Sequence, residues 1–162
     1  MRLFMKKNSD GAGLIFTLFD DRGKELYKAT GYKGTTCDKF SISTPEGISL
    51  ARMRLVPLKF FYAFGVNVKG KTVGVTVMDT GGVPEYKFHG LDWFMKDDCF
   101  GRAFRIYDKN DKHIMAQADN HFSSRGYFEL DIKDEDKELF CIAAAVCVDL
   151  FGSVSETLAA SI

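Results

Sequence analysis

The stretch DEDKELFCIAAAVCVDLFG, residues 134–152, decides how the rest of the chain is read. From Leu139 to Val148 it carries no charged or strongly polar side chain, and three alanines (143–145) stand at its centre. Alanine is the best helix former, although Val146, Cys147 and Val148 are weaker. Asp134, Glu135 and Asp136 suit the positive end of a helix, where backbone N–H groups lack partners, and Gly152 suits the residue just past its end. Length and flanks therefore favour a helix over about 136–151 rather than a buried strand. A helix that is apolar on every face has to be surrounded. The run is about half of the roughly 20 apolar residues that cross a bilayer, so the surroundings are expected to be protein.

Those surroundings read as strands. Alternation of apolar and polar residues, with β-branched and aromatic enrichment, marks 14–20, 39–43, 49–55, 61–68, 72–77, 104–107, 114–118 and 127–131. Weaker signals cover 3–6, 26–30, 85–89 and 92–95. Turn chemistry separates them at Asp21-Arg22-Gly23, Pro45-Glu46-Gly47, Lys69-Gly70, Gly81-Gly82 and Asn110-Asp111. Three segments share one frame: FTLFDDRGKELYKA from Phe16, FSISTPEGISLARM from Phe40 and FRIYDKNDKHIMAQ from Phe104. Each places an aliphatic residue (Leu26, Leu50, Ile114) ten positions after the first aromatic, which suggests one hairpin used three times with both positions facing inward. About a dozen strands, no second long helix and one all-apolar helix leave one economical arrangement. It is a mainly β fold, a closed antiparallel barrel of about twelve strands around a central hydrophobic C-terminal helix. A single domain over 1–152 is expected, with 153–162 as an extension that forms a short helical turn or is disordered.

The order of these motifs resembles the LURP-one-related (YxjI-like) family, which shares the tubby C-terminal-like fold with phospholipid scramblases. The likeness is carried by FTLFDDRGKELY, by GLDWFMKDDCFGRAF from Gly90, by FRIYDKNDKHIMAQ and by YFELDIKDEDKELFCIAAAVCVD, and it spans residues 1 to about 151. The resemblance implies the same barrel about a central helix. Its functional implication is broader: tubby-like relatives bind phosphoinositides at membranes, and scramblases are membrane-attached lipid-handling proteins. This chain lacks a membrane-spanning C-terminal helix followed by an external tail, so lipid scrambling is not expected.

Composition narrows the partners. Lys+Arg and Asp+Glu are both 22, so there is no net charge to draw the protein to nucleic acid. Trp93 and the many phenylalanines are read as core rather than as a base-stacking platform. The four cysteines, Cys37, Cys99, Cys141 and Cys147, form no CxxC pair and read as free thiols of a reducing compartment. The opening MRLFMKK has too short an apolar run for a signal peptide. The expected location is cytoplasmic, with peripheral attachment to a membrane surface as its companion.

Local basic residues are the best candidates for a site. Arg52 and Arg54 stand two apart on one strand, about 7 Å along one face, a separation that suits gripping a phosphorylated headgroup. Lys59, Lys69 and Lys71 could join them; the plain alternative is a solvated strand face that discourages edge pairing. The segment from Asp108 to Asp119 begins like a calcium loop, but His113 stands where glycine is required and Lys112 at a ligand position, so a hairpin turn and no metal are expected. His89, His113 and His121 have no metal-ligand spacing, Cys99 follows two aspartates, and no catalytic motif or cofactor-binding loop is visible. The reading is a non-enzymatic binding or adaptor domain for an anionic phospholipid headgroup. A protein-interaction or structural module is the alternative, and an enzyme at a barrel mouth using His89, His121 and Asp92 the third.

Overall fold

The computed structural model describes residues 1–8, 13–31, 39–57, 62–78, 84–97, 103–119 and 127–160. Twelve strands are formed among them: β1 (Arg2–Lys7), β2 (Leu14–Phe19), β3 (Glu25–Gly31), β4 (Lys39–Ser43), β5 (Ser49–Pro57), β6 (Tyr62–Val68), β7 (Lys71–Met78), β8 (Glu85–His89), β9 (Trp93–Asp97), β10 (Phe104–Asp108), β11 (His113–Asp119) and β12 (Tyr127–Ile132). Each pairs antiparallel with its neighbours in sequence, and β1 closes the barrel against β12. Closure removes free sheet edges, and the period-2 alternation then sorts side chains into an inside and an outside. Leu3 and Met5 of β1, Phe64, Val66 and Val68 of β6, and Val73, Val75 and Val77 of β7 are buried in the core.

The three hairpin repeats are built alike down to their hydrogen bonds. The residue four after each leading phenylalanine, Asp20, Thr44 or Asp108, starts the turn. Its backbone N–H donates to the carbonyl of Lys24, Ile48 or Lys112, each at 2.9 Å. The side chains of Asp20 and Asp108 also accept from two backbone N–H groups each, Arg22 and Lys24 in one case and Asn110 and Lys112 in the other. Asp108 is thus a turn-former, as the hairpin reading expects.

One expectation about these repeats is corrected. Each hairpin contains an irregularity, at Leu18/Phe19, Ile42/Ser43 and Ile106/Tyr107, so Phe16, Phe40 and Phe104 stand opposite Ala29, Met53 and Gln117, thirteen residues on. Leu26, Leu50 and Ile114, ten residues on, are the residues these shifts pass over. Ile114 is buried in the core and Leu26 packs against it, as expected, whereas Leu50 is half-buried and outside that cluster. A bulge adds one residue to one strand and so shifts which face later residues take.

A 3₁₀ turn (Glu135–Lys137) leads into α1 (Glu138–Ala160). The acidic flank differs from expectation in detail: Asp134 precedes the turn and makes no side-chain cap. Its carbonyl accepts from Lys137 N–H at 3.1 Å instead. The helix also runs through Gly152 to Ala160, beyond the expected end near 151. A glycine inside a helix costs only about 1 kcal/mol, and no proline follows to stop the chain. Cys141, Ile142, Ala145, Val146 and Cys147 are fully buried, as expected of a helix enclosed by strands. The helix lies closest to β5, β6 and β7, so it stands off-centre behind that wall. Among the described residues no helix is long and apolar enough to cross a membrane.

Candidate binding groove on the outer wall

The outside of the wall from the start of β2 to β7 carries a groove of about 860 Å³, with Arg52 and Arg54 of β5 in its lining. Its shape follows from cross-strand register. One outward row runs Lys39, Arg54, Gly65, Gly74, His89 over five consecutive strands, β4 to β8. The next row runs Ser41, Arg52, Asn67, Thr72 over β4 to β7. Long cationic side chains on β5 therefore stand between β4, which adds Lys39 and Ser41, and strands β6 and β7, whose outward residues in these rows are glycine, amide or hydroxyl. A Cβ built on Gly65 would meet nothing within 4 Å, so the floor beside Arg54 is bare backbone. Glycine in a strand interior often marks a close approach by another molecule.

Both arginines are exposed, while Ala51 and Met53, which alternate with them, are buried. Among the described residues neither guanidinium has a hydrogen-bond or ion-pair partner. The neighbouring polar groups are fixed: Asn67 Nδ2 donates to Thr72 Oγ1 at 2.9 Å, and Thr30 Oγ1 lies 3.0 Å from Ser41 Oγ. The floor is thus ordered and the cations above it are available, a surface suited to a multidentate anion such as phosphate.

The remaining candidates are placed differently. Lys69 and Gly70 form the β6–β7 turn, with φ of 49° and 83°. Lys71 follows on the inward phase at the barrel rim, where its Nζ lies over the Phe140 ring of α1 at 5.8 Å from the centroid. Neither lysine lines the groove with Arg52 and Arg54. Lys59 lies outside the described residues. Lys39, Gly65, Asn67 and Thr72 line the groove and were not singled out from the sequence; Gly74 lies beyond it on the next strand, and two glycines inside adjacent strands, Gly65 and Gly74, are a signal.

The residues considered for catalysis have other partners. His89 Nε2 lies 2.9 Å from Thr76 Oγ1, and Asp92 pairs with Lys109 at 3.2 Å. His121, Cys37 and Cys99 lie outside the described residues. Cys141 and Cys147 are buried free thiols of α1. Burial pushes the Cys141 thiol up to about 12, with the charges of Asp134 and Glu138 adding to it, and burial alone raises Cys147. Among the described residues no group of three or more His, Cys, Asp or Glu side chains is arranged to hold a metal ion.

The sequence model of the LURP-one-related family matches residues 1–149. The chain belongs to the LURP-one-related family. The X-ray structure of a protein from Arabidopsis thaliana superposes on this LURP-one-related chain with a TM-score of 0.59 at 15% identity. It covers 94% of this chain and 91% of that one. At that identity the likeness speaks for the barrel about its helix, and the groove rests on this chain's own residues. No curated protein sequence matches the chain.

Proposed function

We propose that this LURP-one-related barrel is a non-enzymatic binding or adaptor domain whose outer groove takes the phosphate of an anionic phospholipid headgroup. One observation carries the reading: Arg52 and Arg54 stand exposed and without partners beside a glycine floor. Each guanidinium can offer two parallel donors to phosphate oxygens, and a hydrogen bond to a charged group contributes roughly 1.5–3 kcal/mol. Two such contacts on an electroneutral protein give weak but directed attachment, with recognition arising from the groove rather than from net charge. The expected setting is the cytoplasmic surface of a membrane.

The test is vesicle co-sedimentation across phosphoinositides and phosphatidylserine at low and high salt. Binding to one or more anionic lipids should weaken as salt rises, and the double variant Arg52→Ala/Arg54→Ala should lose about tenfold or more while keeping its Tm. No binding at low salt, or equal binding by the double variant, would sink the reading.

A further inference from the structure

The barrel is not closed equally everywhere. β8 and β9 pair at the single position Lys87↔Phe94, whereas other neighbouring strands share four or more pairs. The two strands are joined by the short loop Gly90–Asp92, which holds them together at one end only. A slot of about 600 Å³ runs along this seam. Inward side chains of both strands, Tyr86, Phe88, Trp93 and Met95, line it together with outward Lys87 and His89. Phe88 and Trp93 meet edge-on at 5.8 Å, and Tyr86 meets Phe151 of α1 edge-on at 6.1 Å, so the wall opens onto aromatic rings that back against the helix.

The slot and the groove share no lining residue, but one cross-strand row joins them. His89 at the slot's rim is the last member of the row that begins Lys39, Arg54, Gly65, Gly74. From Arg54 to His89 is three strand spacings, about 14 Å. Only two glycines lie between them: the space over Gly65 is open, and the His89 ring, 2.9 Å from Thr76 Oγ1, lies beside Gly74 at the far end. A polar anchor, a glycine track and an aromatic slot follow one another on one surface.

We propose that the β8–β9 slot receives the acyl chain of the anionic lipid whose phosphate is held by Arg52 and Arg54. This rests on the headgroup reading above. The slot suits a flexible hydrocarbon better than a guest peptide strand, because the short hairpin loop keeps β8 and β9 too close at one end to admit a strand between them. Its aromatic lining supplies the burial that a bare headgroup does not need.

Trp93 is the only tryptophan of the 162 residues, so its emission reports on the slot directly. Monoacyl glycerol phosphates with chains of roughly 6 to 14 carbons, titrated below micelle formation, should shift Trp93 emission to the blue only when the chain is long. Affinity should rise with chain length until the slot is full, by as much as about fourfold per buried methylene. Gly74→Val sets a branched side chain on the track; its Cβ would lie 3.5 Å from that of His89, an ordinary contact that leaves folding intact. That variant should keep the short-chain affinity and lose the gain from length.

If short and long chains bind alike and Trp93 stays silent, the slot proposal is overturned while the headgroup reading stands. If only long chains bind and Arg52→Ala/Arg54→Ala changes nothing, the headgroup reading fails, and the proposal of one lipid spanning both sites fails with it. A Trp93 shift caused by an apolar peptide and by no lipid would assign the slot to a protein segment and overturn the proposal.

Discussion

Lys7 of β1 reaches both carboxylate oxygens of Asp149 on α1, each at 3.2 Å. The aspartate breaks the apolar run between Val148 and Leu150, both buried, and its side chain is 15% exposed. A strand at the start of the chain thereby supplies a counter-charge to a helix near its end, and the helix can carry a carboxylate within a barrel wall of apolar side chains. Lys7→Met removes that amine while keeping the bulk. It is expected to destabilise the fold by about 1–3 kcal/mol, since a largely buried carboxylate loses a charged partner. Chemical denaturation measures this; an unchanged midpoint would mean the pair contributes nothing.

Ala144 is 2% exposed at the centre of the enclosed helix. Ala144→Asp would place a charge in a core whose buried described residues include no cation, a cost beyond about 4 kcal/mol and comparable to the stability of a whole domain. No folded protein is expected, as read by circular dichroism and solubility. A soluble variant with native Tm would put the helix outside the barrel.

At the mouth where α1 enters, the Tyr27 hydroxyl donates to the Glu138 carboxylate, and Glu138 Oε1 is buried without a partner. Burial raises the Glu138 pKa; the Tyr27 bond opposes it, and the nearby Glu135 charge adds to the rise. A folded-state value above the unfolded one of about 4.3 means that the contribution to stability is complete below that pH. It is lost as pH climbs through the raised value. Glu138→Gln stays neutral throughout, so its Tm relative to the parent should rise between pH 4 and pH 8. A Tm difference that is flat or falls over that range would refute the assignment.

Gly65→Leu tests the groove by shape rather than charge. A Cβ there meets open space, and the position takes a strand conformation open to any residue, so stability should change by less than about 1 kcal/mol. The new side chain would cover the floor beside Arg54, and vesicle binding should fall by about tenfold. Unchanged binding would place the contact away from the glycine floor.

The helix and most strands were legible because their signals are local. The all-apolar run from Leu139 to Val148, the turn residues Asp20 and Asp108, and the alternation through Val73, Val75 and Val77 each report on a neighbourhood of a few residues. Even the weak strand signals at 3–6 and 85–89 became β1 and β8. Ends were less legible: Gly152 looked like a stop, but a single glycine is too small a penalty to end a helix that the chain otherwise supports. Of the repeats' aliphatic positions only Leu50 missed the core, while the register shifts beside all three went unread, since a bulge leaves no plain mark in composition.

The candidate site was half visible for the same reason. The alternation of Ala51 and Met53 with Arg52 and Arg54 was enough to put both arginines on one face. Which residues stand beside them was decided only by cross-strand register, and a slip of one residue would have set a valine of β7 there instead of Thr72. Lys71 shows the difference most clearly: near the groove in sequence, it falls on the inward phase and rests over Phe140. The sequence by itself determined a buried helix, its coat of strands and an outward arginine pair, because those follow from the local period of the chain. Tertiary structure alone decided that the pair overlooks a glycine floor leading to an aromatic seam, because lateral neighbours in a barrel are set by non-local pairing.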